Sequence, residues 1–409
     1  MALGYVVPEF PSQTHAFFWR EIGAIEDAGT PVRLYSTRRP PAGSCPHAFA
    51  EQAAARTTYL FPPRIGAVLR LLAHPVRTAR AVAYLAGLSQ TSIAGRLRLL
   101  ALLPSAADLV QDARRHDVRH LHIHSCANAA HLGALAAILG DLTYSLTLHG
   151  DLPVYGVDHA AKMARASFVA AVTRPLAQQI AEVSPATPNP VIWMGVDCAR
   201  FTPSHRAPGQ DFTVATVARL NHMKGHRFFL QAMAQLRQQG ISIAYRIAGE
   251  GPERDAILAE IDRLGLQDQV QMMGSLDESR VLDLLRSVDA LALSSIGQGE
   301  AAPVTVMEAM ACGLPVICSR IGGTGDMIRD GVDGFLVPQG DVAAIVDRLR
   351  RLQSDPEFAG AMGQAARQSA LGSFDHQTNA RLLLSRIAEA QNSIGRKTSG
   401  KSLPTPKIT

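Results

Sequence analysis

Two cations, two glycines and two carboxylates follow strand-like runs in the second half of the chain. Arg219 and Lys224 stand in Val217-Ala218-Arg219-Leu220-Asn221-His222-Met223-Lys224-Gly225, ahead of a helix expected to open near Gly225. A loop leaving the C-terminal end of a parallel strand faces the binding crevice of an α/β sheet. A helix start adds free N–H groups and the positive end of a dipole. Such a set can neutralise a diphosphate and ease its departure as a dianion. Gly249 and Gly251, in Ala248-Gly249-Glu250-Gly251-Pro252, permit a tight turn or a close backbone approach. Glu300 falls just before a short helix, and Glu308 lies within that helix on a mostly apolar stretch. A carboxylate there is expensive unless it accepts hydrogen bonds, and the adjacent hydroxyls of a ribose are suitable donors. Backbone N–H groups at Ala301 and Ala302, beside Glu300, can meet phosphate. Each feature has a plainer reading when taken singly: a surface cation pair, a connecting turn, a structural buried acid.

Taken in order and spacing, the series is specific. It resembles the donor-site signature of GT-B glycosyltransferases of family 4, and the stretch GLPVICSRIGGTGDMIRDGVDGFLVPQGD resembles that family's closing segment. The resemblance spans about residues 212–345. It implies that Arg219 and Lys224 bind the donor diphosphate, that Glu308 holds the ribose and that Glu300 contacts the transferred sugar. It implies further that Gly249 and Gly251 shape the nucleotide pocket and that backbone around Met273 meets the base. Two positions depart from the pattern: Ala301 stands where Gly is usual, and Asp326 where Glu is usual.

The first half matches more loosely. Phe10-Pro11-Ser12-Gln13-Thr14-His15, Arg20-Glu21-Ile22 and His120-Leu121-His122-Ile123-His124 resemble segments of exopolysaccharide- and colanic-acid-type members. Thr147-Leu148-His149-Gly150-Asp151 resembles the family's His-Gly-x-Asp loop. The resemblance places His149 near the reacting sugar as a hydrogen-bond donor, with Asp151 ordering the loop or receiving the acceptor. His120, His122 and His124 share one strand face, so a metal site has to be weighed. Three alternate histidines need a further group and an open position, and the sequence names none. No DxD-type metal motif stands in the right context, so no metal and no cofactor is expected.

Strands alternate with helices along both halves, which implies parallel sheets built from βαβ units. The expected organisation is α/β: a Rossmann-like acceptor domain over 1–195, a Rossmann-like donor domain over 196–375, a crossover helix over 376–392 and a disordered tail over 393–409. The join falls in the proline-rich stretch Pro185–Pro208. Residues 62–110 break the rhythm. They read as helical, basic and rich in Leu and Ala, either packed on the first domain or lying on an anionic membrane.

With 47% hydrophobic and 18% charged residues, 409 positions suffice for two cores and argue against general disorder. The net charge of +5 favours anionic partners but is too small to choose among them. Five scattered cysteines with no CxxC pair suit a reducing cytoplasm, at the inner face of the plasma membrane if the basic segment meets lipid. The expected activity is retaining transfer of a sugar from a UDP- or GDP-sugar to a sugar or lipid-linked acceptor. The exopolysaccharide or lipid-linked oligosaccharide context is implied by resemblance. A small-molecule glycosyltransferase and a GT-B sugar-nucleotide epimerase are the alternatives. A dehydrogenase is disfavoured because no G-x-G-x-x-G follows the first strand. A nucleic-acid binder would leave the paired acids without a use.

Overall fold

The computed structural model describes residues 2–12, 15–204, 211–297 and 301–398. The first half runs β1 (Ala2–Glu9), α1 (Ala16–Asp27), β2 (Val32–Arg38), α2 (Ala50–Arg56) and β3 (Thr58–Tyr59). Four helices follow, α3 (Gly66–Ala73), α4 (Pro75–Ala86), α5 (Ile93–Leu99) and α6 (Leu102–Arg115). The half closes with β4 (Val118–Ile123), α7 (Asn128–Gly140), β5 (Thr143–Leu148), α8 (His159–Met163), β6 (Val169–Ala171) and α9 (Arg174–Val183).

The second half opens with β7 (Thr213–Val217), α10 (His226–Gln238), β8 (Ala244–Ala248), α11 (Arg254–Leu264) and β9 (Val270–Gly274). It continues through α12 (Glu278–Arg286), β10 (Ala290–Leu293), α13 (Val304–Ala311), β11 (Val316–Ser319), α14 (Thr324–Met327) and β12 (Phe335–Val337). Helices α15 (Val342–Ser354), α16 (Pro356–Ser373) and α17 (His376–Thr398) end the described chain.

The strands form two six-stranded sheets, ordered β3-β2-β1-β4-β5-β6 and β12-β11-β10-β7-β8-β9. Each pairing within them is parallel. The two orders are the same path: each chain half begins in the middle, steps to one edge, then crosses to the other side. This is the doubly wound arrangement, and ligands bind outside the carboxyl ends of its strands where the order reverses. Those points lie between β1 and β4 and between β7 and β10. The sequence shows no repeat, yet the topology repeats. Strands buried on both faces need only continuous apolar runs, such as Ala290–Leu293 and Val316–Ser319, and many sequences supply one.

The segment expected as a helical insertion is helical in four pieces. Helix α6 is buried through Leu103, Ala106, Leu109, Val110 and Ala113 and packs on α7. The last helix differs from expectation. It continues to Thr398, six residues into the stretch read as disordered. Its Ala380, Leu383 and Ile387 share a core cluster with Phe18, Ile22 and Ile25 of α1, so the helix packs on the first lobe. The chain thus passes between the lobes twice, and the two passages are bonded where the Val196 N–H donates to the Phe374 carbonyl at 2.8 Å.

Candidate active site

A cavity of about 740 Å³ lies where the carboxyl ends of both sheets face each other. The ends of β1, β4 and β5 contribute Val7, His124 and His149, and the ends of β7, β8 and β9 contribute Arg219, Gly249 and Ser275. Of the residues singled out from sequence, His149, Arg219, Lys224, Gly249, Ala302 and Glu308 line it. Asp151, Gly251, Met273 and Ala301 do not stand in the lining, and Glu300 lies outside the described residues.

Arg219 is exposed and Lys224 half-buried on the loop between β7 and α10. A neighbouring turn supports that loop. Gly249 has φ +145°, and a Cβ on it would lie 1.8 Å from the Ala218 carbonyl oxygen. A Cβ on Gly251 would lie 2.2 Å from the Leu220 carbonyl oxygen. These glycines are therefore required because one loop backbone lies against another; Gly251 serves that packing and not the cavity wall. The helix start that opens on the cavity also differs from expectation. It is that of α13, through Pro303, Val304 and Thr305, whereas α10 begins at His226 and borders a separate hollow. The reason is Gly225, whose left-handed φ of +63° turns the chain between Lys224 and the helix. Ser275 and Leu276, two and three positions beyond Met273, reach the cavity in its place.

Glu308 sits on the buried side of α13, and its partner comes from the other lobe. The Arg20 Nη1 of α1 donates to Glu308 Oε1 at 3.0 Å and to Glu278 Oε1 at 3.0 Å. Arg200 Nη1 donates to Glu278 Oε2 at 2.8 Å. Burial pushes the Glu308 carboxyl above its ordinary range, and the Arg20 guanidinium acts against that push. Arg20 had no assigned role in the sequence. A cation beside Phe17, Phe18 and Ile22 on this helix is the signal that points to it.

The histidines form a chain from the sheet to the cavity. His120 bonds Thr143 and Ser145 at 2.7 and 2.8 Å, and His122 bonds Ser145 and Thr147 at 2.8 and 2.9 Å. His124 Nδ1 lies 3.0 Å from His149 Nε2, and its Nε2 lies 3.3 Å from Glu21. Glu21, His122 and His124 are close enough to hold a metal ion, with ligand atoms within 4.8 Å of one another. His122, however, has both ring nitrogens engaged by hydroxyls, which fits a hydrogen-bonded strut better than a ligand set. Burial, reinforced by His124, pushes His149 down to about 3, so its imidazole is neutral near pH 7. The His149 N–H of the backbone donates to the Tyr155 hydroxyl at 2.8 Å. Asp151 accepts from Gln179 at 2.8 Å, which ties the same loop to α9.

Several buried polar atoms along the cavity have no hydrogen-bond partner among the described residues: His15 Nδ1, His149 Nδ1, Asn221 Oδ1 and Thr305 Oγ1. Buried polar groups are rarely left so, and their concentration here suits a polar ligand. Asn221 and Thr305 carried no role in the sequence reading because a lone Asn or Thr in a loop has no distinguishing pattern. The two departures from the family pattern also find places. Ala301 is buried, and its carbonyl accepts the Gly323 N–H at 2.7 Å. Asp326 accepts the Arg174 N–H at 2.9 Å, joining the second lobe to the start of α9.

Comparison with known proteins agrees with this architecture. Residues 199–369 match the family model described as glycosyl transferases group 1. The protein named colanic acid biosynthesis glycosyltransferase WcaL of Escherichia coli K12 is 28% identical over 411 residues, covering 95% of this chain and 99% of that one. The amylovoran biosynthesis glycosyltransferase AmsK of Erwinia amylovora is 34% identical over 178 residues, covering 42% of this chain and 44% of that one. The crystal structure of Anabaena HepE in complex with UDP superposes with a TM-score of 0.72 at 18% identity, covering 95% of this chain and all of that one. The chain thus has the GT-B glycosyltransferase fold, and residues 199–369 of its second lobe match the glycosyl transferases group 1 domain.

Proposed function

We propose that the cleft binds a nucleoside diphosphate sugar and transfers its sugar, with retained anomeric configuration, to an acceptor hydroxyl during exopolysaccharide or lipid-linked oligosaccharide assembly. The observation carrying this reading is that Arg219, Lys224, the start of α13 and Glu308 line a single cavity at the carboxyl ends of the strands. Two cations and a helix start suit a diphosphate, and a neighbouring buried carboxylate suits a ribose diol. HepE binds UDP, which makes UDP-sugars the first donors to test. The names of WcaL and AmsK support the polysaccharide context.

In the reaction, the bond from the anomeric carbon to the diphosphate oxygen breaks and its electron pair stays on the diphosphate. The acceptor oxygen bonds the anomeric carbon on the same face, and its proton passes to a leaving phosphate oxygen. Arg219, Lys224 and the N–H groups of α13 stabilise the charge that develops, the task a metal performs in many other transferases. Glu300 contacts the transferred sugar. His149, neutral at working pH, offers a hydrogen bond to the sugar and no acid catalysis. Five scattered cysteines with no CxxC pair support a cytoplasmic reaction.

A thermal-shift screen with UDP, GDP and ADP and then their sugars tests the donor site, because a ligand that binds only the native state raises Tm. One nucleotide is expected to stabilise the protein, with the shift reduced by Glu308→Ala. If no nucleotide shifts Tm, the donor-site assignment fails. Sugar-nucleotide turnover should require an acceptor. Conversion to an isomeric sugar nucleotide without acceptor would identify an epimerase.

A further inference from the structure

Helix α3 points its apolar stripe the wrong way for a helix of a self-contained core. Ile65, Val68, Leu69 and Leu72 recur at the spacing that puts them on one face, and that face is outside: Ile65 is 93% exposed, Leu69 68% and Leu72 71%. The opposite face meets α6, where Arg70 is paired with Asp108 at 2.6 Å. The pattern continues along the chain, with Val76 and Val82 exposed on α4 and Ile93 and Leu97 on α5. Nine of the sixteen large apolar side chains exposed among the described residues fall between Phe61 and Leu97. Apolar side chains scattered singly over a surface need no explanation, but a concentration of this kind marks an interaction surface.

Charge selects the occupant. No acidic residue occurs between Glu51 and Asp108, whereas six arginines occur from Arg64 to Arg98. Three are used internally: Arg70 on Asp108, Arg77 on Asp141, and Arg96 on the Thr91 and Ala86 carbonyls. Arg64, Arg80 and Arg98 are exposed, and their guanidinium groups have no carboxylate partner among the described residues. Exposed apolar side chains interspersed with unpaired arginines, with no acid among them, match an anionic bilayer. A second copy of this chain would bring the same positive charge against itself.

We propose that the outer faces of α3, α4 and α5 dock on an anionic lipid surface, with the apolar side chains at the acyl boundary and Arg64, Arg80 and Arg98 among the phosphates. The surface is tied to the cleft. Asp158 accepts hydrogen bonds from the Gln90 N–H at 3.0 Å and the Thr91 hydroxyl at 2.6 Å, holding the α4–α5 loop. It ends the loop that carries Tyr155, which lines the cavity, and Val154, which is exposed. A docked enzyme would therefore hold its cleft next to the lipid surface. The docking itself does not rest on the donor-site assignment.

Vesicle co-sedimentation with the full chain tests this. Wild type should pellet with phosphatidylglycerol-containing vesicles and at least tenfold less with pure phosphatidylcholine. The Leu69→Glu/Leu72→Glu variant and the Arg64→Glu/Arg80→Glu/Arg98→Glu variant should each lose at least tenfold in binding while keeping the wild-type Tm. Should the leucine variant misfold, Leu69→Trp substitutes for it, and its emission should shift to the blue when anionic vesicles are added. Wild-type-like binding by both variants, an unshifted tryptophan, or no vesicle binding at all would overturn the proposal. A dimer in solution that Leu69→Glu/Leu72→Glu dissociates, with vesicle binding unaltered, would overturn it in favour of self-association.

Discussion

Arg20 of α1 and Glu308 of α13 meet at 3.0 Å across the cleft, so a buried carboxylate of the second lobe is held by a guanidinium of the first. The residues are 288 positions apart, and both side chains are largely out of water. The same Arg20 nitrogen reaches Glu278, so one cation serves two acids. The residue expected to grip a ribose is thus also one of the residues through which the lobes are joined. Nucleotide binding would have to share or replace that contact.

Removing Arg20 should expose this arrangement. Arg20→Ala leaves Glu308 buried without its cation, a change that costs about 3–5 kcal/mol in buried pairs. Arg20→Ala/Glu308→Ala should be less destabilised than the sum of the two single variants, because neither charge is then stranded. Urea unfolding of the four proteins measures both quantities. A stability loss within about 0.5 kcal/mol for Arg20→Ala, the level of an ordinary surface change, would mean that the pair does not form.

The cations of the β7–α10 loop should act on turnover more than on binding. Lys224→Ala is expected to slow sugar transfer by about 10²–10³-fold, the range for losing one group that stabilises developing charge. Donor KM should change by much less. Steady-state kinetics on wild type and variant decide it, and an effect confined to KM would recast Lys224 as a ground-state binding group.

Acid should unfold the protein at an unusually mild pH. Burial holds His15, His120, His131 and His226 down to about 4, and His124 and His149 down to about 3. These groups are neutral in the folded chain and charge near 6.5 once unfolded, so below pH 6.5 the unfolded state binds more protons. Their contribution is complete above about pH 6.5 and is lost as pH falls toward 4 and then 3. Each lost proton-binding difference amounts to about 1.4 kcal/mol per pH unit. Six together exceed a typical stability of about 5–15 kcal/mol within roughly two units, so unfolding is expected between about pH 6 and 4. Tm measured against pH should fall steeply through that window, and His149→Gln should reduce the slope by about one proton. A flat profile down to pH 4 would contradict it.

Two glycines of positive φ should respond differently to alanine. Gly249 combines φ +145° with a Cβ position 1.8 Å from the Ala218 carbonyl oxygen. Gly249→Ala should cost about 2–4 kcal/mol, strain plus overpacking, and should weaken nucleotide binding by displacing the loop that carries Arg219. Gly331 has φ +78° and nothing within 4 Å of a Cβ, so Gly331→Ala should cost only about 1–2 kcal/mol and leave nucleotide binding intact. Equal effects would mean that the contact with Ala218 is immaterial.

Much of this molecule is written locally. The alternation of strand and helix was legible because a buried parallel strand needs only a short apolar run and a helix only its own period. The apolar runs Ala290–Leu293 and Val304–Ala311 form β10 and α13. Strands β3 and β12 are not legible in the sequence, because two and three residues carry no period. The donor-loop residues were legible too, since they follow strand ends at set spacings and a loop's place at a strand end follows from the fold class.

The rest was decided in three dimensions. Period reveals that α3 has an apolar stripe but not which side of it meets α6, so packing on the first lobe and lying on a membrane could not be separated from the sequence. Residue type allowed His120, His122 and His124 to be ligands, and only the approach of the Ser145 and Thr147 hydroxyls made His122 part of a strut. Arg20 became the partner of Glu308 only when the two sheets came face to face. A contact between residues so far apart depends on the relative placement of whole lobes, and no local pattern encodes that.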